Sequence, residues 1–174
     1  MTRSLSLNAR KSIDAPYTDD DFVVLMEFTH PDMETPLRLA TDPAERVSNE
    51  PVIYATRSSW RGADPTTEYW QFVAASLELP SDQEDVPAAV RLTIDLFDAS
   101  VPTLLRSFTT RASANIAIVM ASDPDTPEQQ FLGLEVTAGR YGTQISIEAS
   151  RKPIEEEGVP MDIIGKQRFP GLFR

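Results

Sequence analysis

His30 is the only histidine of the 174-residue chain, and Asp32 and Glu34 stand close behind it. A single imidazole beside carboxylates is the least that general acid–base chemistry or a weak metal site requires. Here His30 directly precedes Pro31 in the turn-forming string His30-Pro31-Asp32-Met33-Glu34, and no G-x-S-x-G nucleophile elbow occurs. His30 therefore reads as a turn residue and its neighbouring acids as solvated. Asp19-Asp20-Asp21 and Asp123-Pro124-Asp125 offer oxygens suited to calcium. Neither has the D-x-D-x-D-G-x5-E spacing of a calcium loop, and both fit turns or strand starts. Cysteine is absent, which removes disulfides, thiolate metal centres, iron–sulfur clusters and thiol nucleophiles. No G-x-G-x-x-G or Walker A string is present to cradle phosphate. Carboxylate pairs for glycoside cleavage come from distant strands, so the availability of 27 acids discriminates nothing. The expectation is a protein with no catalytic residue, no metal and no cofactor.

The aromatics allow a different kind of site. Trp60, Tyr69, Trp70 and Phe72, with Arg57 and Arg61 nearby, have the composition of a stacking platform for sugar or single-stranded nucleic acid. Tyr69 and Trp70 must point to opposite faces of their strand, so at least one belongs to the core. Trp60 and Arg61 lie in the stretch Arg57–Pro65, which reads as an extended surface loop. Both residue types are enriched where proteins touch one another, which makes them interface candidates.

The elements that would hold such a surface are strands. Phe22–Phe28 is a strong strand, and the His30–Glu34 turn leads to a second at Leu37–Ala40, giving a hairpin. A proline- and charge-rich connection, Thr41–Pro51, precedes a strand at Val52–Thr56. Val73, Ala75, Leu77 and Leu79 alternate with Ala74, Ser76 and Glu78, and Val90, Leu92, Ile94 and Leu96 with Arg91, Thr93 and Asp95. An acidic loop with Pro80 and Pro87 separates those two strands. Ser100 can cap a short helix carrying Leu104, Leu105 and Phe108, and Ser4–Ile13 allows another with Leu5, Ala9 and Ile13 on one side. Ile116–Ala121 is apolar without alternation, as in a strand covered on both faces. Ala121–Pro127 reads as a turn into a long hairpin in which Leu132, Leu134 and Val136 face one way. Fourteen prolines against seven glycines argue for many strand ends and against long helices. The expected fold is mainly β, an antiparallel sandwich or barrel-like domain with one or two short helices and extended termini. Its domain spans residues 1–152, with a C-terminal arm at 153–174.

A composition of 41% hydrophobic and 25% charged residues is that of a globular chain. The net charge of -11 disfavours a protein that grips duplex DNA, since phosphate neutralisation needs clustered cations. It suits either a wall along which DNA slides without sticking or simple solubility. Met1–Asn8 lacks the apolar core of a signal peptide, and Ile116–Ala121 falls far short of the roughly 20 residues of a spanning helix, so no membrane insertion is expected. The arm ends in Phe169-Pro170-Gly171-Leu172-Phe173, which with Ile163 supplies apolar groups to a segment too irregular for sheet or helix. Ile163, Phe169, Leu172 and Phe173 are therefore the second set of interface candidates, on a neighbouring subunit or on the domain itself.

Four stretches, taken in order, carry a resemblance to a known family. They are Glu27–Met33 followed by Pro36–Leu39, then Val90–Asp95 followed by Leu104–Ser107, then Val119–Asp125, and last Phe169–Phe173. Together they resemble the small conserved tail-tip proteins of phages with long, flexible, non-contractile tails, encoded near the tape measure and the central fibre. The chain departs from the family's wording at Leu96-Phe97-Asp98 and in the Arg57–Asp64 loop. Some larger hub relatives bind an iron–sulfur centre through cysteines, a feature this chain does not share. The resemblance implies a structural, non-enzymatic virion protein, a minor tail or baseplate hub component made in the host cytoplasm. It implies a ring around the tail axis, threefold in preference to sixfold, joining the tube to the central fibre or hub while DNA passes through the lumen. Its partners would be copies of itself and other tail-tip proteins. The alternative is a carbohydrate-binding or hydrolytic β domain of the same apparatus, using Trp60, Trp70 and carboxylates in a cleft.

Overall fold

Strand β1 (Phe22–Thr29) is apolar on both sides: Val23 and Leu25 face one way, Met26 and Phe28 fall in the other set, and all four are buried. A strand of that kind must lie inside a sheet and be covered above and below. The computed structural model describes residues 5–18, 20–78, 89–95, 110–141 and 144–150, and places β1 there. It is flanked by β2 (Leu37–Ala40) and β8 (Ser113–Met120), both antiparallel to it. The other strands are β3 (Glu45–Asn49), β4 (Val52–Thr56), β5 (Trp70–Phe72) and β6 (Ala75–Glu78), then β7 (Ala89–Asp95), β9 (Asp123–Tyr141) and β10 (Gln144–Ser150). All ten form one sheet in the order β3-β4-β5-β2-β1-β8-β9-β10-β7-β6. Every described pairing is antiparallel except β2 with β5. The fold is mainly β, as the alternation predicts. The helix expected near Ser100, the acidic loop, and the arm with Ile163, Phe169, Leu172 and Phe173 lie outside the described residues.

The sheet is not closed, yet the chain draws its two sides together. β5 and β6 are separated only by Val73 and Ala74, although β5 bonds β2 and β6 bonds β7. At the junction the Val73 N–H donates to the Ala40 carbonyl and the Asp95 N–H donates to the Ala74 carbonyl, both at 2.8 Å. Residues 70–78 thus behave as one bent strand that changes partner halfway. The intervening strands have to curl for both pairings to hold, which gives a barrel-like section. Leu39 of β2 and Leu92 of β7, remote from each other in strand order, consequently share one core with Met26, Phe28 and Ile116.

Three stretches differ from their sequence reading. The connection Thr41–Pro51 contains an edge strand, β3, which pairs with β4 through a turn holding the cis Glu50–Pro51 bond. The turn expected over Ala121–Pro127 is only Ala121–Ser122, and β9 begins at once, with Met120 opposite Asp123. Pro124 and Pro127 are tolerated because the β8–β9 ladder shifts register twice there. Farther along, Ala114 faces Leu134 while Ile116 faces Phe131, so β9 carries one residue more than β8. That is a β-bulge, and Gly133 supplies its left-handed backbone at φ +65°. The bulge puts Phe131 and Leu134 in the core and leaves Leu132 exposed, against the expectation that Leu132 and Leu134 share a face. Nothing lies within 4 Å of a β-carbon placed on Gly133, so Gly133→Ala suffers backbone strain alone. Thermal unfolding should report a loss of about 1 to 2 kcal/mol for that variant.

Helix α1 (Leu7–Asp14) is the one described α-helix; Ser6 caps it by accepting from the Ala9 N–H, and Ala9 is its only buried residue. It starts later than the expected Ser4 and runs past Ile13 by one residue. No helix among the described residues is long and apolar enough to cross a membrane.

Candidate functional site

The outward row of β1 and β8, Val23, Leu25, Ala117 and Val119, needs a cover, and the segment after β4 provides it. Ser58–Ala63 folds onto that row in a single 3-10 turn, Trp60–Gly62, and Trp60, Ala63 and Trp70 join the same buried cluster. The indoles of Trp60 and Trp70 lie 5.4 Å apart, tilted by 34°. Trp70 Nε1 donates to the Ser58 carbonyl at 3.2 Å. Ser58 Oγ donates to the Pro124 carbonyl at 2.7 Å, and Ser59 donates through its N–H and Oγ to Asp125 Oδ1. Arg57–Pro65 is therefore stapled to the start of β9 instead of standing free as an extended loop. The Pro124 carbonyl and Asp125 Oδ1 are engaged in this staple.

Beside the indoles sits a buried carboxylate. Glu27 points outward from β1, 3% exposed, between Arg38 on β2 and Asn115 on β8, its register partners. Its Oε1 accepts from Arg61 Nε at 3.1 Å and from Asn115 Nδ2 at 3.2 Å, and its Oε2 from Arg38 Nε at 3.4 Å. Arg38 continues to Glu68 Oε1 at 2.6 Å, and its guanidinium carbon lies 5.6 Å from the centroid of the Trp70 ring. Asn115 Oδ1 accepts the Gly133 N–H at 2.9 Å, which ties the network to the bulge. Arg61 reaches Glu27 from a left-handed backbone at φ +60°. With its oxygens occupied by three donors, Glu27 acts as a lock across three strands and a loop. At the rim, the Asp64 N–H and then Arg38 hold the Glu68 carboxyl below its usual range, and the Thr66 hydroxyl and N–H do the same for Asp64.

His30 is buried at the far end of β1, with Nε2 2.6 Å from Thr110 Oγ1 and Nδ1 accepting the Asp32 N–H at 3.1 Å. Nδ1 organises the turn that its sequence suggests, and Nε2 ties that turn to the segment before β8. Among the described residues no group of three or more His, Asp or Glu side chains could hold a metal ion.

The opposite end of the curl is open. Phe22 and Val24 of β1 and Ile118 of β8 continue the inward rows that lower down are the buried Met26, Phe28 and Ile116. With Leu77 of β6 and Leu5 before α1 they line a groove of ≈ 590 Å³, whose polar lining is Arg10, Glu128 and Gln129. Glu128, 5% exposed, accepts the Ser6 N–H at 2.6 Å and so anchors α1 beside the groove.

Of the sequence-derived interface candidates, Trp60 and Arg61 come together, but as parts of the fold: Trp60 is 6% exposed, and Arg61 turns back to Glu27. Sequence reasoning missed Glu27 and its strand partners Arg38 and Asn115. The available signal was a glutamate inside an otherwise apolar strand, opposite an arginine across a hairpin. It also missed the groove, which depends on the curl. No protein-family model matches the chain, and comparison with curated proteins finds no match.

Proposed function

We propose that this protein is a structural component of a phage tail tip, assembled as a ring around the tail axis, threefold in preference to sixfold. In that place it joins the tube to the central fibre or hub and lets DNA pass. The reading begins from the four stretches that resemble the tail-tip family. The structural observation that carries it is the open apolar groove at one pole, where Leu5 and Phe22 are each 46% exposed. Leu7, Ile13 and Tyr17, also exposed, belong to the same 18 positions of sequence. An exposed apolar groove is a surface suited to assembly or binding. The curled sheet supplies a stiff scaffold, and its locked outer face makes copies alike enough to pack with symmetry. The alternative, a sugar-binding or hydrolytic domain, loses its two stacking rings, since Trp60 and Trp70 are buried against each other.

Electron microscopy of purified tails bearing a gold-labelled tag on this protein tests the proposal. Labels should sit at the end distal to the capsid, with a fixed copy number of three or six. Label scattered along the tube, or absent from particles, would remove the tail-tip reading.

A further inference from the structure

We propose that the groove at the open pole receives the C-terminal segment, residues 166–174, of a neighbouring copy of the chain. The identity of the partner rests on the ring proposed above. Two complementarities support the occupant. The groove is apolar, and Phe169, Leu172 and Phe173 offer three apolar side chains spaced by Pro170 and Gly171. The charges also match. From Ile163 onward the chain contains Lys166, Arg168 and Arg174 and no acid, although the whole protein has a net charge of -11. The groove's own charges, Arg10 and Glu128, balance, and Asp20, Asp21 and Asp123 stand at the same end of the sheet. Such opposition steers a tail to its site and fixes its orientation.

Ser150, where β10 ends, is level with Glu135, Ser113 and Thr29, whereas Phe22 of the groove stands at the other end of β1 and Leu77 is level with Leu92 and Ile147. Beyond Ser150 the chain has 174 − 150 = 24 residues, ample to reach a groove on the same or on the next molecule, so the choice of a neighbour rests on the ring and is what the cross-link decides. Contact from one pole to the opposite pole of the next copy is head-to-tail, and closes into a ring when the rotation between copies permits.

The absence of native cysteine makes the test direct. Two differently tagged full-length copies, one Leu5→Cys and one Leu172→Cys, are co-expressed and oxidised. A disulfide between the two tags is expected. A Phe173→Asp substitution on the arm or Phe22→Asp in the groove should lower its yield roughly tenfold. Val52→Cys, exposed on β4, replaces Leu5→Cys as the control and should give little product. Equal yield from Val52→Cys, no product at Leu5, or a disulfide formed only within a chain carrying both cysteines overturns the proposal. The arm variant keeps the test valid if the groove variant fails to fold. Native mass measurement of the unsubstituted protein separates the two readings. A ring without the cross-link overturns this docking alone, whereas a monomer with a within-chain disulfide overturns the docking and counts against the ring.

Discussion

Trp70→Ala should destabilise the protein by about 3 to 5 kcal/mol, enough to unfold much of the population of an ordinary domain. Trp70 is fully buried at the start of β5 and touches each part of the outer cover. Its ring stacks on Trp60 and lies under Arg38, and its Nε1–H holds the Ser58 carbonyl. Alanine removes all three interactions and opens a cavity over β1 that a stapled segment cannot easily fill. Urea unfolding followed by circular dichroism measures the effect, with Tyr69→Ala as the neighbour control. Tyr69 is 40% exposed, and its truncation should shift the transition by less than about 1 kcal/mol. Equal losses for the two variants would mean that the Trp pair is not the keystone of the outer face.

Glu27→Ala should be nearly as harmful, at about 3 kcal/mol, for an electrostatic reason. Removing the carboxylate leaves Arg38, whose side chain is 9% exposed, with Glu68 as its remaining partner, and leaves the Asn115 amide without its acceptor. Arg61 suffers less because its side chain is 43% exposed and can turn to water. Glu27→Gln keeps an acceptor for Asn115 and should recover part of the loss. Replacing Arg38 and Glu27 together by apolar residues should cost less than the sum of the single changes, because no buried charge is then left alone. Additive losses in that double-mutant cycle would argue that Glu27 and Arg38 do not act as a unit.

Much of the sheet could be read from the chain because its strands follow local patterns. The bounds of β2 and β4 match their expected ranges, and β1 extends its range by one residue. Trp70 is buried and Tyr69 exposed, as opposite faces require. The failures have tertiary causes. Asp123–Pro127 has the composition of a turn, yet pairing with β8 makes it strand. Gly133 reverses the inward parity of β9, which no count of alternating residues can anticipate. Trp60 looked like an exposed contact because an isolated loop gives no sign of the apolar row that it covers. That sign lay elsewhere, in the outward Val23 and Leu25 of β1. The groove was legible only in hindsight, since Leu77 and Phe22 meet through the curl and not through sequence spacing.

The central position of β1 has a consequence for how the protein is made. Its partners on β8 lie between 113 − 29 = 84 and 120 − 22 = 98 residues downstream. At a synthesis rate of about 5–20 residues per second, β1 waits roughly 5–20 s for β8 to be made. During that interval β1 can pair with β2 alone, and its other, apolar edge stays open. Long-range pairing of this kind also folds slowly once complete, on a scale of about milliseconds to seconds. The nascent chain is therefore a stage exposed to aggregation: holdase chaperones should raise the yield of folded subunits, and slower translation, which lengthens the wait, should lower it.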